Sequence, residues 1–315
     1  MTIAWLFPGQ GSQSVGMGKD VLAASGAARA VFERVDAALD EPLSKLILEG
    51  PEEQLTLTAN AQPAIVATSL ALLAAIRERL PDLAPPAFAA GHSLGEYSAL
   101  VAAEALSLED AVRLVRARGR AMQEAVPPGT GAMTAVMGVE PARLEALCRQ
   151  AMNGEVVSPA NFNAPGQIVV AGHAAAVARV GELVAAEKGR AIPLKVSAPF
   201  HCALMAPAAR VVETELGRIA VHAPRFPVVA NFDAGANRDP QRVKELLVRQ
   251  VDGPVRWEES VRLMAESGVT QALEIGPGKV LAGLVKRIVK ELKVLSVGDA
   301  AALEQVGAFV AEGAR

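Results

Sequence analysis

An α/β fold with a largely parallel sheet is what this chain of 315 residues predicts. Short apolar runs alternate with helically spaced runs along almost its whole length. A glycine-flanked turn, Gly91 to Gly95, lies between one strand-like run and the helical run that follows. After a change of composition at Pro127-Pro128-Gly129-Thr130-Gly131, the pattern becomes compact and reads β-α-β-β-α-β.

Ile3 to Phe7 reads as a short buried strand. Residues 26 to 39 have helical spacing, with Val31, Phe32, Val35 and Leu39 on one face. Pro63 suits the first turn of a helix running to about Leu80, with Pro81 just beyond its end. Ala87 to Ala90 is the next strand, followed by the turn and a helix from about Leu94 to Ala105. Ser107 with Asp110 forms a capping-box-like start for the helix that carries Arg113, Arg116 and Arg118.

Beyond Gly131 come a strand (Met133 to Met137), a helix (Pro141 to Met152), strands at Val156 to Ala160 and Gln167 to Ala171, a helix (Ala174 to Glu187) and a strand (Ala191 to Val196). That order is ferredoxin-like. The division expected is a large α/β-hydrolase-like subdomain with a mostly parallel sheet, residues 1–127 and 197–315, and a small ferredoxin-like subdomain inserted at 128–196. The chain returns through a helix, a strand at Val228 to Ala230, more helices and a strand at Ala272 to Ile275.

Composition narrows the function. The formal net charge is -3 and aromatic residues make up 3% of the chain, which argues against a nucleic-acid footprint. Cys148 and Cys202 are too few for a disulfide framework, and no Cys/His ligand spacing suggests a metal. The most apolar stretch, residues 63 to 76, is short for a membrane span and is closed by Arg77, Glu78 and Arg79. The N-terminal apolar run is short, lacks a basic leader and reads as a strand. The expectation is a cytoplasmic monomer with no bound metal or cofactor.

Gly91-His92-Ser93-Leu94-Gly95 fits G-x-S-x-G in its required strand-to-helix context. A sharp turn exposes the Ser93 hydroxyl. The helix beginning there offers free N–H groups and a positive dipole end to an oxyanion. Such a nucleophile needs a base. His92, His173, His201 and His222 are the candidates, and His201 stands out because it follows a loop leaving a strand. Sequence spacing does not show which of them meets Ser93.

Five motifs occur in order: Phe7-Pro8-Gly9-Gln10-Gly11-Ser12-Gln13, Gly91 to Tyr97, Arg118-Gly119-Arg120-Ala121-Met122-Gln123, Asn161-Phe162-Asn163-Ala164-Pro165-Gly166-Gln167, and Ala198-Pro199-Phe200-His201. Together they resemble the malonyl-CoA:acyl-carrier-protein transacylase family of fatty acid and polyketide synthesis, over about residues 3 to 300. The resemblance implies Ser93 as nucleophile and His201 as base, with the Gln250 backbone carbonyl orienting His201. It implies an oxyanion hole from the N–H groups of Gln10 and Leu94, and Arg118 paired with a malonyl carboxylate. Asn161 would lie near the active-site mouth, and Met122 would be among the substrate-binding residues.

Leu94 and Phe200 stand where methylmalonyl-selective relatives often carry Gln and Ser, and this points to malonyl. The implied reaction is ping-pong transfer of malonyl from malonyl-CoA to the phosphopantetheine thiol of an acyl carrier protein. An acidic carrier would meet basic residues, with Lys279, Lys286, Arg287 and Lys290 as candidates. The alternatives are an acyl-thioester hydrolase of the same fold, of a proofreading type, and a non-catalytic docking protein.

Overall fold

The computed structural model describes residues 2–313, folded around two sheets. Six strands form the larger sheet: β1 (Ile3–Phe7), β2 (Phe88–Gly91), β7 (Val228–Val229), β8 (Ala236–Asn237), β9 (Gln271–Ile275) and β10 (Lys293–Val297). The four between them in sequence, β3 (Gly131–Met137), β4 (Val157–Ala164), β5 (Gln167–His173) and β6 (Arg190–Pro193), form the smaller sheet. The larger sheet runs β10-β9-β1-β2-β7-β8. Its first five strands are parallel, and β8 pairs antiparallel with β7. Every residue of β1 is buried, as a central strand covered on both faces requires.

The smaller sheet is antiparallel in the order β4-β5-β3-β6. Helices Pro141–Ala151 and Ala174–Ala186 cover one face with their own apolar core, including Leu144, Leu147, Val177 and Val180. The other face packs Met133, Ala160, Val169 and Ala171 against Cys202, Phe200 and Leu204. This face supports the loop that carries His201. Val255 accepts from the Phe162 N–H and donates to Ala160 O, each at 2.8 Å, so β4 is stitched to the segment that follows helix Pro240–Asp252.

Several sequence expectations shift. The helix assigned to start at Pro63 is Thr58–Arg79, and Pro63 lies inside it. Ahead of the proline, Thr58, Ala61 and Gln62 are buried, so packing favours extending the helix past it. The helix is therefore long and apolar enough to cross a membrane, but 83% of its most apolar stretch is buried inside the protein. The helix after the turn is Gly95–Ala102, shorter than expected, because Glu104 takes a left-handed φ of 60°.

Strand β4 runs past the expected Ala160 to Ala164, with register shifts between Pro159 and Asn161 and between Phe162 and Ala164. Strand β6 ends at Pro193, short of Val196. Strands β8 and β10 were not foreseen. The first has two residues, and the second is a half-exposed edge whose apolar run is brief. Cys148 and Cys202 are both free and buried.

The ends of β1 and β2 lie side by side, with Phe7 opposite Gly91. The turn beyond them is packed backbone against backbone. A Cβ at Gly95 would stand 2.0 Å from Phe7 O, and one at Gly91 would stand 1.9 Å from the Gly95 carbonyl carbon. Gly95→Ala should therefore lose about 3 kcal/mol or more of stability, or fail to fold. Denaturant unfolding checks this, and a stability equal to wild type would contradict the packing.

Candidate active site

The turn between β2 and helix Gly95–Ala102 places Ser93 at φ 49°. A non-glycine residue there is strained and must be held. Asn231, which follows β7, holds it. Its Oδ1 accepts the Ser93 N–H at 2.6 Å and its Nδ2 donates to Gly91 O at 2.7 Å.

His201, also at a positive φ of 60°, reaches Ser93 from the loop after the smaller sheet. Its Nε2 lies 2.7 Å from Ser93 Oγ and its Nδ1 lies 2.8 Å from Gln250 O. A carbonyl only accepts, so Nδ1 carries the proton and Nε2 is free to take the one on Oγ. Gln250 sits in the last turn of helix Pro240–Asp252, where carbonyls lack helical partners. The donor that would continue the helix belongs to position 254, which is Pro254 and has no N–H. The Gln250 carbonyl is thereby left for His201.

Burial, and next the nearby Arg118 charge, push His201 down to about 3. It is neutral throughout the working range.

Arg118 projects from helix Leu108–Glu124 and is 1% exposed. Its Nη1 donates to Gln62 Oε1 at 2.8 Å, and its Nη2 donates to Gln250 Oε1 at 2.9 Å and to Ser93 Oγ at 3.1 Å. The guanidinium stands over the Tyr97 ring at 5.4 Å. Among the described residues, no carboxylate bonds to it. The partners of this buried cation are neutral oxygens alone, and its Nε has no hydrogen-bond partner among the described residues. The neighbouring Gly119 lets the helix close on Thr58, whose carbonyl oxygen would stand 2.7 Å from a Cβ there.

The loop after β1 approaches the turn closely, since a Cβ at Gly9 would lie 2.5 Å from His92 O. Among the described residues, neither the Gln10 N–H nor the Leu94 N–H donates a hydrogen bond. Both stay available to an oxyanion. A cleft of about 270 Å³ opens over Ser93, and Gln10, Arg118, Met122, Asn161, Phe200 and His201 are among its walls.

The structure thus brings together the nine site residues read from the sequence. Leu94 contributes its backbone N–H, as expected, while its side chain packs into the main apolar cluster. The His92 ring lines the cleft, with Nε2 2.8 Å from Asn163 Oδ1, and makes no bond to Ser93. His173 accepts the Val156 N–H at the start of a helix. Lys279, Lys286, Arg287 and Lys290 are exposed.

Sequence reasoning missed Gln62, Asn231 and Glu96. Glu96 lies in the same short motif as Ser93 but had no role assigned. A carboxylate in the apolar stretch GEYSALVA is itself a sign of a buried partner network. Burial pushes Glu96 up to about 7, against the pull of the Asn231 N–H and the Gln250 side chain.

A hydroxyl paired with a neutral imidazole and faced by free N–H groups is equipped to attack a carbonyl and hold the resulting oxyanion. Fold and site together define an enzyme of acyl chemistry. The acyl transferase domain model matches residues 4–311, and the chain belongs to that family.

The malonyl CoA-acyl carrier protein transacylase of Escherichia coli (strain K12) is 48% identical over 301 residues, 95% of this chain and 97% of its own. The crystal structure of an acyl carrier protein S-malonyltransferase from Vibrio cholerae O1 superposes with a TM-score of 0.94 at 46% identity, over 97% of this chain and 100% of that one. A malonyl-transacylase solved in complex with its type II polyketide acyl carrier protein superposes at 0.93 with 45% identity, over 97% of this chain and 98% of that one.

The depressed His201 carries a sign that can be tested. The unfolded imidazole titrates near 6.5, so the stability it contributes is complete above that pH and is lost as pH falls towards about 3. In ¹³C-histidine NMR spectra, the His201 resonance should stay neutral from pH 8 to about 5. A titration centred near 6.5 would contradict the buried, Arg118-facing environment.

Proposed function

We propose that this enzyme transfers malonyl from malonyl-CoA to the phosphopantetheine thiol of an acyl carrier protein, through a malonyl ester on Ser93, in a ping-pong cycle. The observation that carries the reading is Arg118, a buried guanidinium 3.1 Å from Ser93 Oγ with no carboxylate of its own. An acyl group ending in a carboxylate supplies what the cation lacks, and a guanidinium fork matches it in two hydrogen bonds.

His201 Nε2 takes the Oγ proton as Oγ attacks the thioester carbonyl. The N–H groups of Gln10 and Leu94 receive the oxyanion. The C–S bond then breaks, and the departing CoA sulfur takes the proton from His201. In the second half, His201 accepts the proton of the carrier's thiol. The thiol sulfur attacks the ester, and the proton returns to Ser93 Oγ.

Acylation turns Oγ into an ester oxygen, a poorer acceptor for Arg118. The malonyl carboxylate replaces it, whereas an acetyl group leaves the buried donor short. Phe200, Met122 and Asn161 shape the acyl cavity. Every step uses groups of this chain and the two thiols.

The strand order β4-β5-β3-β6, with two helices on one face, supports a ferredoxin-like small subdomain at 128–196. The parallel sheet with its Ser93 turn supports an α/β-hydrolase-like large subdomain, 1–127 with 197–315. The relatives named for an acyl carrier protein support that partner, and the exposed Lys279, Lys286, Arg287 and Lys290 offer it positive charge.

Intact-protein mass spectrometry tests the cycle. With malonyl-CoA, one malonyl group should appear on the wild type and none on Ser93→Ala. Adding a phosphopantetheinylated carrier should move it. Decay to free malonate at the rate of CoA release would make the protein a hydrolase.

A further inference from the structure

Glu96 and Asn231 take no part in the steps above, yet they join the groups that do. Glu96 is 3% exposed and Asn231 is fully buried. One carboxylate oxygen, Glu96 Oε2, accepts two N–H donors: the Asn231 backbone at 2.9 Å and Gln250 Nε2 at 2.8 Å. Each donor belongs to a residue that grips the reacting pair. Asn231 ties down the Ser93 turn through Gly91 O and the Ser93 N–H. Gln250 accepts from His201 Nδ1 with its main-chain oxygen, while its side-chain Nε2 also donates to Ser93 O at 2.9 Å.

We propose that Glu96 is a positioning residue: its single carboxylate oxygen locks the Asn231 grip on Ser93 to the Gln250 grip on His201 and Arg118. The inference rests on the Ser93–His201 reading above. An amide has a donor end and an acceptor end. With two acceptors, Glu96 Oε2 and Ser93 O, at its Nε2, Gln250 has only one satisfactory orientation, and Oε1 then faces Arg118 Nη2. Without the carboxylate, Nε2 keeps Ser93 O and a long 3.5 Å contact to Asn231 Oδ1, and the amide is freer to turn its oxygen away from Arg118.

The Asn231 N–H would also be left buried and unpaired, at the residue that supports the strained φ of Ser93. A small drift of Ser93 relative to His201 is costly, since about 1 Å of misplacement can cost about 10²-fold in rate. Two lone pairs on one oxygen suffice for the task. A glutamine at this position, with its carbonyl in place of Oε2, can do the same work.

The test uses a fluorophosphonate probe, which labels Ser93 without recognising malonyl, followed by mass spectrometry. Glu96→Ala should label about 10²-fold more slowly than wild type, with a lower kcat and little change in KM for malonyl-CoA. Glu96→Gln should retain most of the rate. The Glu96→Ala/Gln250→Ala double variant should be little slower than the slower single variant, because both break one unit. If Glu96→Ala does not fold, Asn231→Ala should slow labelling to a similar degree and be non-additive with Gln250→Ala.

Labelling of folded Glu96→Ala at the wild-type rate, or effects that add in the double variant, would overturn the proposal. Because the probe ignores the acyl group, a different natural acyl donor would leave these rates informative while malonyl transfer failed.

Discussion

The site is organised around a buried positive charge that bonds to no carboxylate among the described residues. Arg118 could be neutralised cheaply by one acidic side chain, and the fold supplies neutral oxygens instead. Helix Thr58–Arg79 contributes Gln62, helix Pro240–Asp252 contributes Gln250, and the turn after β2 contributes Ser93. Three elements distant in sequence therefore converge on one guanidinium. A hydrogen bond from a charged donor is stronger than a neutral one, which lets three such bonds hold the cation in place of an ion pair. The arrangement keeps the cation ready for a ligand that carries its own carboxylate.

The same constraint accounts for the partner of His201. A carboxylate behind His201 would put an anion beside Arg118 and compete with substrate for it. A main-chain carbonyl orients the imidazole without that charge. Pro254 makes the carbonyl available by withholding the N–H that would otherwise occupy it. Glu96, the buried acid in this region, is kept from Arg118 by the Gln250 amide, which donates to one and accepts from the other.

How much of this the sequence showed depended on how local each signal was. The all-buried β1, the helix over 26–39 and the Ser107 cap were legible because periodicity and capping are short-range. The Ser93 turn was legible because its glycines answer to immediate steric demands. The pairing of Ser93 with His201 spans 108 residues of chain, and no spacing rule reaches that far. Arg118 alone looked like another charged helix residue, as Arg113 and Arg116 do, and only the family resemblance singled it out.

Asn231 lies in a short connection after a two-residue strand, where nothing local marks it as the brace of a strained turn. Pro63 misled because proline usually marks a first helical turn, whereas here packing around a buried helix outweighs the lost hydrogen bond.

The central claim is that the unpaired Arg118 selects an acyl group ending in a carboxylate, and a competition experiment tests it most directly. Wild type and Arg118→Ala would be given equal malonyl-CoA and acetyl-CoA, and the two acyl-Ser93 adducts would be counted by mass spectrometry at early times. The account predicts almost entirely malonyl on the wild type, and on the variant a loss of malonyl with acetyl equal to it or in excess. A malonyl preference that survives removal of the guanidinium would contradict it.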